Sequence, residues 1–151
     1  MKKFKLTSEF IVDISGVKLF RIKALIEFGN VKAGDLGGYI EKEENLSHMG
    51  NAWVSGNAQV SGDARVFGNA WVFGDARVSG DKDYAYAHGF GSCNRTTTFF
   101  RLKDGDVGVR CGCFYGTLAQ FRDNVCETHG ETKKAQEYLM LADLMDFRFK
   151  N

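Results

Sequence analysis

Two pairs of metal-type ligands lie near the C-terminus. Cys111 and Cys113 are separated by one residue, and Cys126 and His129 are separated by two. Residues two apart on a strand face one way and residues three apart on a helix share a face, so the four side chains could converge on a tetrahedral zinc ion. Zinc sites more often use cysteines with two residues between them, and buried cysteine also packs as a small apolar side chain. We therefore predict no metal site and keep these four residues as the candidates for one.

A second group of side chains has the chemistry of an anion-binding surface. Arg65 and Arg77 carry planar guanidinium groups that pair with phosphate or carboxylate. Trp53 and Trp71 carry flat rings on which a nucleotide base can stack. These four are the candidate ligand-binding residues. The alternative is that the arginines are ordinary solvated surface side chains.

A six-residue repeat determines where these arginines and tryptophans lie. Residues 51–81 read NAWVSGNAQVSGDARVFGNAWVFGDARVSGD, with valine at every sixth position and alanine two residues before each valine. Because side chains two apart on an extended chain face the same side, each Ala-x-Val unit directs two apolar groups inward. Glycine followed by Asn or Asp makes a corner after each unit. The repeat is therefore predicted to be short strands joined by turns, and the recurring glycine excludes a helix.

The pattern Val-[Ser/Phe]-Gly-[Asn/Asp]-Ala-x resembles the hexapeptide repeat of left-handed parallel β-helix proteins. In that family three hexapeptides form one triangular coil, so the resemblance implies a left-handed coil in which residues 18 apart are stacked. The fold class we predict is mainly β: a short left-handed parallel β-helix with an N-terminal β cap and a C-terminal ββαα tail. Its divisions are a β-hairpin cap at residues 1–45, the hexapeptide β-helix at residues 46–88, and the α+β tail at residues 89–151.

Stacking by 18 residues assigns the variable positions of the repeat to three outward faces. Trp53 lies under Trp71, beside Phe73, on the first face, and the two arginines take the other faces. Because an outward aromatic cluster is costly to leave in water, it indicates an interface. Small coils of the resembled family commonly form trimers, so we predict a homo-oligomer, with a trimer favoured, whose interface contains Trp53, Trp71, Phe73 and Phe67. Contact with the chain's own terminal segments and stacking on a ligand are the alternatives.

Turn and cap signals predict the segments on either side of the repeat. Apolar residues alternate around Ser15-Gly16 and again around residues 103–106, which predicts two hairpins. Thr117 and Thr132 are the expected N-caps of two helices. The stretches DLGGYIEKEENLS, from residue 35, and CGCFYGTL, from residue 111, look like the flanks of uncharacterised bacterial and phage hexapeptide proteins. A phage origin is implied by that resemblance alone.

Most enzymes of the resembled family are acyltransferases that use a histidine base. His48, His88 and His129 are therefore the candidates for that alternative function. His129 is expected at a helix end, which is an ordinary position for a cation because it faces the helix dipole. We assign no catalytic residue, since a fold alone does not confer an activity.

Composition narrows the function further. The chain of 151 residues has 20 lysines and arginines against 19 acidic residues, so no large net charge draws it to nucleic acid or to an anionic membrane. Its apolar runs are too short to span a bilayer, and no export signal is recognised. The four cysteines are therefore expected as reduced thiols in the cytoplasm.

The sequence as a whole predicts a non-catalytic, homo-oligomeric binding protein that uses no cofactor. Given the resemblance of its flanks, we expect a phage anti-defence protein that sequesters a signalling nucleotide or occludes a host defence protein. The alternatives are an acyltransferase of the hexapeptide family and a structural phage component.

Overall fold

The computed structural model describes residues 2–90, 95–111 and 114–150 of the chain. In chain order these residues form strands β1 (Phe4–Val12), β2 (Lys18–Ala24), β3 (Leu36–Ile40), β4 (Trp53–Val54), β5 (Gln59–Val60), β6 (Trp71–Val72), β7 (Arg77–Val78), β8 (Tyr84–Phe90), β9 (Arg95–Arg101), β10 (Val107–Cys111) and β11 (Phe114–Thr117), followed by helices α1 (Leu118–His129) and α2 (Lys133–Phe149).

The strands are arranged in three sheets. A five-stranded sheet has the order β1-β2-β3-β5-β7, and a four-stranded sheet has the order β11-β10-β9-β8. Strands β4 and β6 form a separate pair. The first sheet is mixed, because β1, β2 and β3 pair antiparallel whereas β3, β5 and β7 pair parallel.

The N-terminal hairpin predicted around Ser15-Gly16 is formed by β1 and β2. Gly16 has a φ of 87°, in the region that favours glycine. The Asp13 carboxylate accepts hydrogen bonds from the backbone N–H groups of Ser15, at 2.9 Å, and Val17, at 3.0 Å. This local bonding closes the turn, and the hairpin buries one apolar face against the repeat.

Parallel pairing joins repeat units that are 18 residues apart. Trp53 is the partner of Trp71, and Gln59 is the partner of Arg77. Every alanine and valine at the repeated positions is no more than 2% exposed. The sequence-based predictions of the 18-residue offset and of the inward Ala-x-Val pairs are therefore confirmed for these strands.

The fold class predicted from the repeat is nevertheless wrong. The described residues do not form a left-handed parallel β-helix, since β4 and β6 stand apart while β5 and β7 extend a sheet that begins with an antiparallel hairpin. The repeat unit that contains Val66, between β5 and β6 in the chain, forms only an isolated bridge, between Leu46 and Val66. So few repeat units cannot bury a core alone, and strands from the flanking segments complete the structure. The repeat specifies strand spacing but not the partners of the strands.

The C-terminal unit is a four-stranded antiparallel sheet packed against two helices. It contains the hairpin predicted around residues 103–106, which is formed by β9 and β10. The Thr117 hydroxyl accepts a hydrogen bond from the N–H of Gln120 at 3.2 Å, and the Thr132 hydroxyl accepts one from the N–H of Ala135 at 3.3 Å. Both predicted N-caps are thus confirmed. The ββαα prediction omitted the outer strands, of which β8 crosses the predicted boundary at residue 88.

This four-stranded sheet separates two hydrophobic cores. Phe99 and Phe100 are consecutive on β9 and therefore point to opposite faces of the sheet. Phe100 packs with the valines and alanines of the repeat, whereas Phe99 packs with the apolar faces of α1 and α2. The layers are consequently the repeat with its hairpin, the antiparallel sheet, and the helix pair.

The two helices have 12 and 17 residues. No helix in the described part of the chain is long and apolar enough to cross a lipid bilayer.

Candidate ligand-binding cleft

A cleft of about 590 Å³ opens where the repeat, the C-terminal sheet and helix α2 meet. Its lining consists of Phe67 from the repeat, Tyr84, Ala85 and Tyr86 from β8, and Arg148 from α2. The Phe67 and Tyr86 rings are in edge contact, with their centroids 5.6 Å apart and an interplanar angle of 78°. This volume is within the range of small-molecule sites.

The repeat positions the Phe67 ring at the rim of the cleft. Val66 is directed into the core, so the next side chain along the extended chain faces outward, and Phe67 is 46% exposed. Gly68 then turns the chain with a φ of 67°. A Cβ on Gly68 would lie 2.7 Å from the Tyr86 hydroxyl. The corner glycine therefore lets the tyrosine lie directly against the repeat.

Arg148 supplies the positive charge of the cleft. It is exposed near the C-terminal end of α2, and it forms no ion pair with the other described residues. No aspartate or glutamate is among the described residues that line the cleft. A guanidinium group donates paired hydrogen bonds to phosphate or carboxylate oxygens. The cleft thus combines two aromatic rings with a cation suited to an anionic group.

Arg65 lies beside a different cleft. This second cleft, of about 260 Å³, is also lined by Glu43, Glu44 and His48. The Arg65 carbonyl oxygen accepts a hydrogen bond from the Tyr84 hydroxyl, which connects the two clefts through the backbone. Two carboxylates make the second cleft unfavourable for an anion.

Two of the predicted ligand-binding residues, Arg77 and Trp53, contact other parts of the chain. The Arg77 guanidinium is hydrogen-bonded to backbone carbonyl oxygens, the nearest being that of Ala76 at 3.1 Å. Trp53 is only 2% exposed, and its ring lies in edge contact with Phe28 at 5.3 Å between centroids. The N-terminal segment therefore covers the outward Trp53 ring, which is the contact with a terminal segment that the sequence left as an alternative.

Trp71 and Phe73 are covered by the C-terminal sheet. The Arg110 guanidinium carbon lies 4.0 Å from the Trp71 ring centroid and 5.1 Å from the Phe73 centroid. Tyr115 packs edge-on against Phe73, with centroids 4.7 Å apart, and burial raises the pKa of the Tyr115 hydroxyl. The Trp71 indole N–H also donates to the Ser55 hydroxyl at 2.6 Å. Contact with the chain's own terminal segments is therefore the alternative that the structure supports for this face.

Among the four residues of the predicted oligomer interface, only Phe67 is exposed, and it lies in the cleft. The chain's own segments cover Trp53 and partly cover Trp71 and Phe73, so this interface is not confirmed. Oligomerisation itself stays a prediction.

The candidate metal ligands are only partly placed. Cys113 lies outside the described residues. Cys111 accepts a hydrogen bond from the Thr97 hydroxyl at 3.2 Å, and Cys126 is exposed on α1. His129 stacks on Tyr138, with ring centroids 5.7 Å apart. Within the described ranges, no group of three or more His, Cys, Asp or Glu side chains is arranged to hold a metal ion.

His48 is hydrogen-bonded at both ring nitrogens. Nδ1 accepts from the backbone N–H of Lys3 at 3.0 Å, which assigns the ring proton to Nε2. Nε2 then donates to a Glu43 carboxylate oxygen at 2.8 Å. Hydrogen bonds from His48 and Lys2 hold the pKa of Glu43 below its ordinary value. Neither nitrogen of His48 is left to accept a proton from a substrate.

The acyltransferase alternative loses support from this geometry. His88 is exposed on β8, where its Nδ1 lies 2.7 Å from the Thr96 hydroxyl. The activity stays an untested prediction.

Lys3 is a buried cation that the sequence did not single out. Its Nζ donates to the Ala52 carbonyl oxygen at 2.6 Å and lies 4.5 Å from the Phe28 ring centroid. Among the described residues it has no carboxylate partner. Burial lowers the pKa of Lys3 to about 8. Lys3 and His48 together attach the N-terminus to the repeat.

Comparison of the chain with models of known protein families and with curated proteins finds no match. The resemblance to hexapeptide-repeat proteins therefore stays a prediction, and function has to be argued from geometry.

Proposed function

We propose that the chain is a binding protein whose ligand is a small anion carrying an aromatic ring, such as a nucleotide. Phe67, Tyr86 and Arg148 are the residues that would hold it. The observation that supports this proposal is the composition of the cleft, which places a guanidinium group without an ion pair among the described residues beside two aromatic rings.

Each part of such a ligand has a matching group in the cleft. The exposed face of Phe67 can stack on a base, and stacking on an aromatic side chain contributes about 1–3 kcal/mol per base. Arg148 can donate charge-assisted hydrogen bonds to a phosphate. The Tyr84 hydroxyl already donates to the Arg65 carbonyl oxygen, which holds one wall of the cleft in place.

The biological role we propose is sequestration of a signalling nucleotide in the cytoplasm of a phage-infected host. This finer role is supported only by the resemblance of the flanking segments to phage proteins. Occlusion of a host defence protein by the same surface is the other outcome that a test must separate. A pull-down from host extract with and without added nucleotide distinguishes them, because a nucleotide ligand would compete with a protein bound at the cleft.

The test is isothermal titration calorimetry with mononucleotides, cyclic nucleotides and inorganic phosphate. We expect at least one nucleotide to bind, and phosphate alone to bind more weakly because it cannot stack. Arg148→Gln and Phe67→Ala are each expected to weaken binding by roughly ten- to a hundredfold.

Two matched variants serve as controls. Lys134→Gln removes a cation from the same helix outside the cleft, and Phe10→Ala removes a ring that has the same 46% exposure as Phe67. Both are expected to bind as the wild-type protein does. Absence of binding by every nucleotide at millimolar concentration, or equal weakening by Lys134→Gln, would refute the proposal.

A further inference from the structure

Helix α2 carries a second apolar face that the rest of the described chain leaves exposed. Met140, Leu144 and Phe147 are exposed, and their spacing of four and three residues places them in one stripe along the helix. The opposite face of the helix is buried against the C-terminal sheet and α1. Met140 and Leu144 also line a cleft of about 570 Å³, together with Phe90 of β8.

The two ends of the stripe carry side chains of opposite charge. Glu137 is one turn before Met140 and Arg148 is one turn after Leu144, about 16 Å apart along the axis. Neither forms an ion pair with another described residue. By contrast, the neighbouring Asp143 pairs with an arginine of α1 at 2.6 Å. The charges at the two ends are thus available to a molecule that covers the stripe.

We propose that this face binds the same face of a second copy, with the two α2 helices antiparallel about a two-fold axis. Antiparallel pairing places Met140 of one copy against Leu144 of the other and brings each Glu137 to Arg148 of the partner copy. A parallel pair would place Glu137 against Glu137 and Arg148 against Arg148. Unlike charges and opposed helix dipoles both favour the antiparallel pair, and a two-fold interface requires such a self-complementary surface.

The dimer and the proposed ligand would both use the Arg148 guanidinium, so the dimer is tested at another residue and without nucleotide. Arg148 borders both surfaces, whereas Leu144 lines only the apolar cleft on α2. Leu144→Glu consequently tests the dimer at a residue that does not line the ligand-binding cleft.

The experiment is sedimentation velocity of the nucleotide-free protein over a concentration series. We expect a monomer–dimer equilibrium whose dissociation constant rises at least about tenfold in Leu144→Glu. Leu36→Glu is the matched control, since Leu36 is 56% exposed and Leu144 is 55% exposed, but Leu36 is on β3. Circular dichroism checks that both variants fold.

Charge reversal tests the direction of the helices. Glu137→Arg and Arg148→Glu are each expected to weaken the dimer, and the double variant is expected to restore most of the affinity. A protein that stays monomeric at the highest concentration, a trimer, or a dimer equally sensitive to Leu36→Glu would overturn the proposal. A double variant weaker than both single variants would overturn the antiparallel arrangement.

Discussion

The two hydrophobic cores are filled by side chains of different size. In the repeat the core consists mainly of alanine and valine, because each Ala-x-Val unit directs these two side chains inward. In the C-terminal unit, Phe99, Phe121 and Tyr138 fill the wider space between a sheet and two helices. The repeat core therefore has little room for added atoms, whereas the C-terminal core depends on the large side chains it contains.

The largest effect is expected from truncation in the aromatic core. Phe121 is buried and lies edge-on to Tyr138, with centroids 5.6 Å apart. Phe121→Ala should lower the free energy of unfolding by about 3–5 kcal/mol, because it removes a ring and leaves a cavity. Val72→Ala in the repeat should cost only about 2 kcal/mol. Urea unfolding followed by circular dichroism measures both.

Phe147→Ala is the control for the loss of a ring, since Phe147 is 78% exposed. At a concentration at which the protein is monomeric, it should change the free energy of unfolding by less than about 0.5 kcal/mol. Equal losses for Phe121→Ala and Val72→Ala would show that the two cores do not differ as their side chains suggest.

Addition of one carbon should be costly at the corner of the repeat that the C-terminal sheet covers. Gly74 has a φ of 70°, and a Cβ there would overlap the Tyr115 hydroxyl. Gly74→Ala should destabilise the protein by roughly 3 kcal/mol, through the left-handed backbone and the overlap together. Gly80 has an extended backbone, and its Cβ would meet no atom within 4 Å. Thermal unfolding should therefore show almost no change for Gly80→Ala, and a similar loss in both variants would contradict this account.

The parts of the fold that sequence predicted are those that local geometry determines. The inward Ala-x-Val pairs follow from the alternation of an extended chain, and Thr117 and Thr132 cap helices through residues three positions away. Strand partners depend on segments far apart in the chain. Gly37 and Gly38, for example, are buried in β3, where a Cβ would lie 2.5 Å and 2.8 Å from backbone oxygens of the repeat.

At the candidate site, too, the sequence predicts only what local geometry determines. The sequence identified Phe67 as an outward residue, and that position depends only on the repeat. It missed Tyr86 and Arg148, because no local pattern indicates that β8 and the end of α2 reach the same corner. The repeat also places Trp53 on an outward face but does not indicate that Phe28, from another segment, covers it.

The attachment of the N-terminus to the repeat should depend on pH. The pKa of Lys3 is lowered from about 10.5 to about 8, so the unfolded chain binds more protons than the folded chain between these values. Stability should therefore rise with pH through that window, by about 2 kcal/mol at most, because the hydrogen bond to the Ala52 carbonyl oxygen favours the charged form. Chemical unfolding at pH values from about 8 to 9.5 measures the rise below the range where Tyr115 titrates.

Lys3→Met should abolish this rise, whereas Lys2→Met should keep it, since Lys2 is exposed and paired with Glu43 at 3.1 Å. Stability that falls with pH in the wild-type protein over the same window would contradict the assignment to Lys3.

The smallest effect is expected where the two regions meet. Arg110→Met keeps the apolar stem above Trp71 and removes the charge that lies 4.0 Å from the ring centroid, so it should cost about 1 kcal/mol. Arg122→Met, which breaks an exposed pair with Asp143, should cost less than about 0.5 kcal/mol. Both tryptophans belong to the repeat, so their fluorescence reports the first core, while circular dichroism reports the helices of the second. If Arg110 couples the cores, the fluorescence midpoint should shift more than the helix midpoint in Arg110→Met. If Arg122→Met shifts the fluorescence midpoint as much as Arg110→Met does, the Arg110 charge has no special role at this contact.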